Sequence, residues 1–404
     1  MTNYQEIDQK ICLKASEVLK VRNLYVKFKV KNGFIHAVRG ISLTIKQGQI
    51  VGIVGESGSG KSAISKSFIG FNDNAVIDAN LLNLCNTNLL KLKKHQWKYI
   101  RTYIGYIPQD PFSSLNPTKK IGKQISEAII VSEKRRYQQK RRKILDSKLK
   151  KSEKKTLLNN LRKKYRAEIN RKNVTKKIID ILSFINIENA QNWIHSFPHE
   201  ISGGMRQRIV IAIAIAARPK LIIADEPTTA LDVTVQAKVL DLIKKVRDTY
   251  NIAVIFISHN ISLVANFCDY VYVMYAGKIV EQGTIKDVLT DPRHPYTWAL
   301  IGAIPENIDE KETLEYIPGT PLNLLTPPIG DAFAARNKYA LKIDFEKEPP
   351  LFTISKTHKA ATWLLNEFAP KIPVPEITMK KIKIIRDSLN RNENFSQKEN
   401  EHST

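Results

Sequence analysis

The sequence predicts an α/β fold built on a parallel sheet covered by helices on both faces, and three observations predict it. The apolar run Ile50-Val51-Gly52-Ile53-Val54 leads into Gly55-Glu56-Ser57-Gly58-Ser59-Gly60-Lys61-Ser62, and a helical stretch continues from Ser62 to Ile69. Far downstream, Leu221-Ile222-Ile223-Ala224 is a second apolar run, ending on Asp225-Glu226-Pro227. Ala253-Val254-Ile255-Phe256-Ile257 and Tyr270-Val271-Tyr272-Val273-Met274 are nearly continuous in apolar residues, as strands buried on both faces require.

In chain order, a strand-rich piece over about 18–48 comes first, and the glycine loop follows it. The loop has the spacing G-x-x-x-x-G-K-S. Its glycines let successive backbone N–H groups converge on phosphate oxygens, and the helix that begins at the loop adds its positive dipole end. In that setting Lys61 reaches β- and γ-phosphates and the Ser62 hydroxyl ligates Mg²⁺. A bare glycine-rich turn would need neither the Lys-Ser pair nor the strand before it. A helical region over about 111–217 follows, and within it Ser202-Gly203-Gly204 opens the helical run 209–217 as a second nest of backbone donors. The acidic strand then delivers Asp225 and Glu226 to its C-terminal edge, where open α/β sheets bind ligands. Asp225 is the Mg²⁺-side carboxylate, and Glu226 is the candidate to polarise an attacking water. An acidic pair capping a helix is the competing reading; the apolar strand and Pro227 speak against it.

Taken together, Gly55 to Ser62, Ile201-Ser202-Gly203-Gly204-Met205-Arg206-Gln207-Arg208 and the acidic strand resemble the ATP-binding cassette (ABC) ATPases. In that family the Ser-Gly-Gly signature docks onto the γ-phosphate held by an opposing subunit. The resemblance extends to Gln109 in Tyr106-Ile107-Pro108-Gln109-Asp110-Pro111 as the Q-loop, itself on the metal side. It also covers Ala230-Leu231-Asp232 as the D-loop and His259 as the switch histidine. Phe28 matches the aromatic that stacks on adenine, and it is equally readable as a core residue. The strings 198–208, 224–237, 273–281 and His294-Pro295-Tyr296-Thr297 narrow the likeness to ATP-binding subunits of oligopeptide/dipeptide permeases, and Thr228-Thr229-Ala230 with Ser59 to the first of their two paired ATPases.

This likeness implies an ABC-type nucleotide-binding domain over 18–300, with ATP and Mg²⁺ as ligands. A permease-type extension over 301–375 and a polar tail over 376–404 follow; residues 1–17 form a short N-terminal segment. The implied partners are a second ABC ATPase subunit, two transmembrane permease subunits and, indirectly, an extracellular peptide-binding protein. The implied location is the cytoplasmic side of the cell membrane, as a peripheral protein. One motif departs from the family. Many relatives carry cysteines with iron–sulfur spacing after the Ile-Pro-Gly motif (317–319 here), whereas this chain has Asp331, Asn337 and Asp344 at three of those positions. Thiolates hold such clusters, so no iron–sulfur cluster is expected.

Composition bounds the alternatives. A chain of 404 residues buries a full α/β core and leaves room for appendages. Three cysteines, Cys12, Cys85 and Cys268, describe no disulfide framework and suit a reducing cytoplasm. No apolar stretch approaches the ~20 residues of a membrane span. The net charge of +25 suggests nucleic acid at first sight, yet residues 134–177 alone hold 20 Lys and Arg against three acids. That stretch reads as a solvated basic insertion of one or two helices, with anionic lipid or nucleic acid as the other readings of its charge. The alternative function is accordingly a soluble ABC-type ATPase acting on nucleic acid. The extension and the single cassette argue against it, and no specific nucleic-acid partner is expected.

Overall fold

The computed structural model describes residues 16–71, 74–229, 231–304, 317–320 and 322–387. Cys12, Ala230, Pro305, Pro321 and the end of the polar tail lie outside them. In chain order the chain forms β1 (Glu17–Val30), β2 (Gly33–Lys46), β3 (Ile50–Val54), α1 (Lys61–Ile69) and β4 (Ala75–Asp78). Next come β5 (Leu81–Leu84), β6 (Thr87–Asn88), α2 (Lys94–Ile100) and β7 (Ile104–Ile107). Besides the single turns Pro111–Ser114 and Ala190–Trp193, four longer helices follow, α3 (Ile121–Asp146), α4 (Lys151–Glu168), α5 (Arg171–Phe184) and α6 (Gly203–Ala216), and then β8 (Leu221–Asp225) and α7 (Val233–Tyr250). The last third holds β9 (Ala253–Ser258), α8 (Ile261–Phe267), β10 (Tyr270–Tyr275), β11 (Lys278–Thr284), α9 (Ile285–Thr290) and α10 (Pro295–Gly302). Short strands β12 (Phe352–Thr353) and β13 (Lys359–Ala360) and a helix α11 over 376–387 complete it.

These elements form two compact units. One takes 16–20, 44–49 and 82–255; the other takes 21–43, 50–81 and the residues from 256 onward, so that β9 belongs partly to each.

In the first unit β7 and β8 pair in parallel, from Ile104 opposite Leu221 to Ile107 opposite Ala224. Every residue of β8 is buried, which is why it reads as unbroken apolar sequence rather than as alternation. Helix α6 lies against β7 at Gly105, where a Cβ would sit 3.1 Å from the Ala214 carbonyl oxygen. From Ile209 on, α6 buries apolar residues around most of its circumference. Helix α3 starts as a core helix with Ile121, Ile125 and Ile129 inward at intervals of four. Its last buried residues are Ser132, Glu133 and Arg135, after which it runs into solvent. Helix α4, in the basic stretch, buries no residue at all. It is held instead by Tyr165 stacked on Tyr137 at 4.6 Å and by Lys177, which bridges Glu133 (2.9 Å) and Glu168 (2.6 Å).

In the second unit β1 and β2 form a hairpin, β4 pairs with β1, and β3 runs parallel to β10. Strand β10 also pairs antiparallel with β11, with a bulge between Val273 and Met274. The extension adds β13 to β11 and β12 to β13. The polar stretch after 375 opens as α11, whose Thr378 hydroxyl donates to Trp298 O at 3.2 Å and whose buried Lys381 caps the carbonyls of Gly302 and Ile304. Cys85 and Cys268 are buried free thiols, and burial pushes Cys85 up to about 11, which leaves it inert as a nucleophile. Among the described residues no helix is long and apolar enough to cross a membrane.

Candidate active site

The second unit carries the glycine loop. Strand β3 ends at Val54 and α1 starts at Lys61, so Gly55 to Gly60 turn the chain between a buried strand and a helix. Two glycines are there for close approach: a Cβ on Gly55 would lie 2.0 Å from Met274 O, and one on Gly60 would lie 2.2 Å from Ala37 O. Gly60 also has φ +99°, a left-handed conformation that a side chain would strain. The Lys61 ammonium folds back over the loop and donates to Gly55 O (2.7 Å) and Glu56 O (2.8 Å). Ser57, Gly58 and Ser62 are exposed, while Ser59 is buried and its hydroxyl has no partner among the described residues. A cradle closed to a Cβ at Gly55 and Gly60, with a lysine across its mouth and an orphaned hydroxyl inside, fits a polyphosphate.

His259 lies in this unit, exposed just past β9, between the buried Ser258 and Asn260, which caps α8 through Ser262 N. Phe28 sits on β1 opposite Ala75 of β4; it shares the face of Leu24 and Val26 but is only half buried.

The first unit carries the acids. Asp225, the last residue of β8, is buried and accepts from the Tyr106 hydroxyl at 3.1 Å. Glu226 follows in the left-handed region with φ +48°, a conformation that costs a non-glycine residue about 1 kcal/mol. That turn takes its carboxylate away from the strand. Its Oε2 accepts from Gln109 Nε2 (3.2 Å) and from the Thr229 hydroxyl (3.1 Å). Gln109 and Glu226 are thus brought together across 117 residues of sequence. Pro227 is fixed in turn by Gln207 of α6, whose Nε2 donates to its carbonyl at 2.7 Å.

The signature segment is in the same unit. Ser202 is the N-cap of α6, its hydroxyl accepting from Met205 N at 3.4 Å. Gly204 faces Val235 of α7, and Asp232 caps α7 by accepting from Val235 N at 2.9 Å. Motif reading missed three participants: Tyr106, Thr229 and Gln207. Tyr106 and Thr229 stand three residues from Gln109 and Glu226, and Gln207 is one helical turn beyond Gly203; proximity to the motifs was the available signal.

The ABC transporter family matches residues 38–229, and the oligopeptide/dipeptide transporter C-terminal region matches 280–343. The oligopeptide transport ATP-binding protein OppD of Mycoplasma genitalium is 57% identical over 392 residues, 95% of this chain and 96% of its own length. The dipeptide transport ATP-binding protein DppD of Lactococcus lactis is 43% identical over 358 residues, 88% of this chain and 93% of its own. In fold the chain is similar to cbiO1 of Clostridium perfringens, part of an ABC transporter complex, with a TM-score of 0.51 at 24% identity over 69% of this chain and 92% of that one. The chain therefore belongs to the ABC transporter ATP-binding proteins, in the oligopeptide/dipeptide transport family whose C-terminal region it carries.

Proposed function

We propose that this chain is the ATP-hydrolysing subunit of an importer for oligopeptides or dipeptides, working at the cytoplasmic side of the membrane through separate permease subunits. The observation that carries the catalytic part is Glu226, next to the buried Asp225 and hydrogen-bonded to Gln109. Gly55 to Ser62 hold the phosphates through backbone N–H groups and Lys61, and Phe28 lies against the base. Ser62, Asp225 and Gln109 would hold Mg²⁺, which neutralises phosphate charge. Glu226 takes the proton of the attacking water, and His259 positions the γ-phosphate side. Ser202, Gly203, Gly204 and Asp232 complete the site of a second ATPase subunit, so each site is shared. Closure of the pair on nucleotide, passed on near Gln109, drives the permeases. The name of each relative quoted above speaks of peptide transport or of an ABC transporter, which supports this reading over one in which the ATPase acts on nucleic acid.

The extension is proposed to hold no iron–sulfur cluster. Asp331, Asn337 and Asp344 each turn a side-chain oxygen to a nearby backbone N–H, of Phe333 (3.0 Å), Tyr339 (3.0 Å) and Leu341 (2.6 Å).

Glu226→Gln tests the catalytic assignment. Turnover is expected to fall on the order of a thousandfold, the range of a lost general base, while ATP still binds and traps the closed pair. Near-wild-type hydrolysis by the variant in the assembled transporter would reject the role.

A further inference from the structure

The second residue of the glycine loop is held by the C-terminal extension. Arg336 forks onto Glu56: Nη1 donates to Oε2 at 2.7 Å and Nη2 to Oε1 at 3.1 Å. The remaining donors are also engaged, Nη1 with the Tyr275 hydroxyl (3.2 Å), Nη2 with Ile317 O (3.4 Å) and Nε with Pro318 O (2.6 Å). A guanidinium has five N–H groups, and here each has an acceptor in a fixed plane. From the other side the Tyr296 hydroxyl accepts from Glu56 N at 2.7 Å. Arg336 is 9% exposed and the Glu56 side chain 24%, so the guanidinium is buried while the carboxylate keeps an edge toward solvent. Arg336 and Ile317-Pro318 lie within the region matched by the oligopeptide/dipeptide C-terminal family, and Glu56 lies in the loop, 280 residues earlier.

We infer that Arg336 is a positioning residue for nucleotide: it neutralises and fixes the Glu56 carboxylate so that the loop can accept a polyanion. The inference rests on the proposal that this loop receives ATP. A loop built from backbone N–H donors attracts phosphate, and a carboxylate inside that loop opposes it. Pairing the carboxylate with a buried guanidinium removes the repulsion, and the fork keeps the side chain turned toward the extension. The carbonyls of Ile317 and Pro318 complete the shell around the same guanidinium. The state of the extension is thereby read out as affinity for ATP, which gives this C-terminal region a part in the ATPase cycle besides packing.

Charge and packing are separable by experiment on the full-length chain. Arg336→Met should weaken equilibrium binding of ATP on the order of tenfold, about 1.4 kcal/mol, measured with a fluorescent ATP analogue. Arg336→Lys keeps the charge without the fork and should weaken it about threefold. Arg336→Met/Glu56→Gln removes both charges and should return affinity to within about twofold of the parent, even if its melting temperature without nucleotide stays low. A double variant as weak as Arg336→Met, or single variants that bind like the parent, would overturn the inference. If Arg336→Met does not fold, the Lys variant and the double variant decide it by the same criteria. Failure of the unsubstituted chain to bind ATP would instead reject the nucleotide reading on which the inference stands.

Discussion

The glycine loop and the acidic turn solve opposite problems. Behind the loop there is no room: Gly55 and Gly60 abut the carbonyl oxygens of Met274 and Ala37, and the shape is imposed by what cannot fit. At the acidic turn a full side chain sits where glycine would be easier, with φ +48° at Glu226, and the shape is imposed by what is bonded there: Gln109, Thr229 and, through Pro227, Gln207. The first arrangement is broken by adding atoms and the second by exchanging them. The strain at Glu226 persists because the bonds to Gln109 and Thr229 and the anchored Pro227 over-determine the turn.

The largest effect should come from adding one carbon. Gly55→Ala puts a methyl group 2.0 Å from Met274 O, a backbone clash that no side-chain movement relieves. It is expected to cost about 3 kcal/mol or more and to abolish nucleotide binding, whereas Glu226→Gln, equal in size to the parent side chain, leaves the melting temperature nearly unchanged. A Gly55→Ala chain with parental stability and ATP affinity would break the comparison.

A smaller, pH-dependent effect should come from the extension behind the loop. Burial pushes the Asp331 carboxyl up to about 6 from its ordinary value of 3.8; the Phe333 N–H bond and Arg39 pull it down, and Asp344 and Glu348 add to the rise. The folded chain therefore holds a proton that the unfolded chain has released, and stability falls as pH rises from about 4 to about 6. Above that window the charged, buried carboxylate is a standing cost. Asp331→Asn keeps an oxygen for Phe333 N and should raise the melting temperature at about pH 7.5, with the gain vanishing near pH 4. A gain that is the same at both pH values would show that desolvated charge is not its source.

The smallest effect is expected in the basic stretch. Helix α4 buries nothing, so replacing 141–168 with a short Gly/Ser linker while keeping Glu133, Arg135 and Tyr137 should move the melting temperature by no more than about 2 °C and leave ATP binding intact. Retention on anionic vesicles should be unchanged if the charge is merely solvated. Loss of salt-sensitive retention would assign the stretch to lipid headgroups, and loss of RNA-stimulated hydrolysis at physiological salt would revive the nucleic-acid reading.

The loop, the acidic strand and the signature were legible because each is a short string whose spacing is its chemistry. Their supports were not, because they are contacts over long separations. Nothing near Glu56 announces Arg336, 280 residues away, and nothing near Asp225 announces Tyr106, 119 residues earlier. Composition also hid α11: its inward face mixes Ile377, Ile382 and Ile385 with Thr378 and Lys381, and its anchoring comes from a lysine capping carbonyls. Strands β3, β8 and β9 were readable for the opposite reason, since burial on both faces leaves only apolar residues to write them with.

Arg135 ties a strand to a helix within the first unit. Its guanidinium donates to Thr102 O, just before β7, and to Ala217 O (3.0 Å) and Arg218 O (2.8 Å), just after α6, while it stacks over the Tyr103 ring at 4.4 Å. The strand that leads to Gln109 and the helix that begins at Ser202 are therefore tied at the ends remote from those residues. Any rearrangement that changes the spacing of Gln109 and Ser202 therefore has either to break the Arg135 bonds or to be taken up at the opposite ends of β7 and α6, where Gln109 is bonded to Glu226 and Gln207 to Pro227.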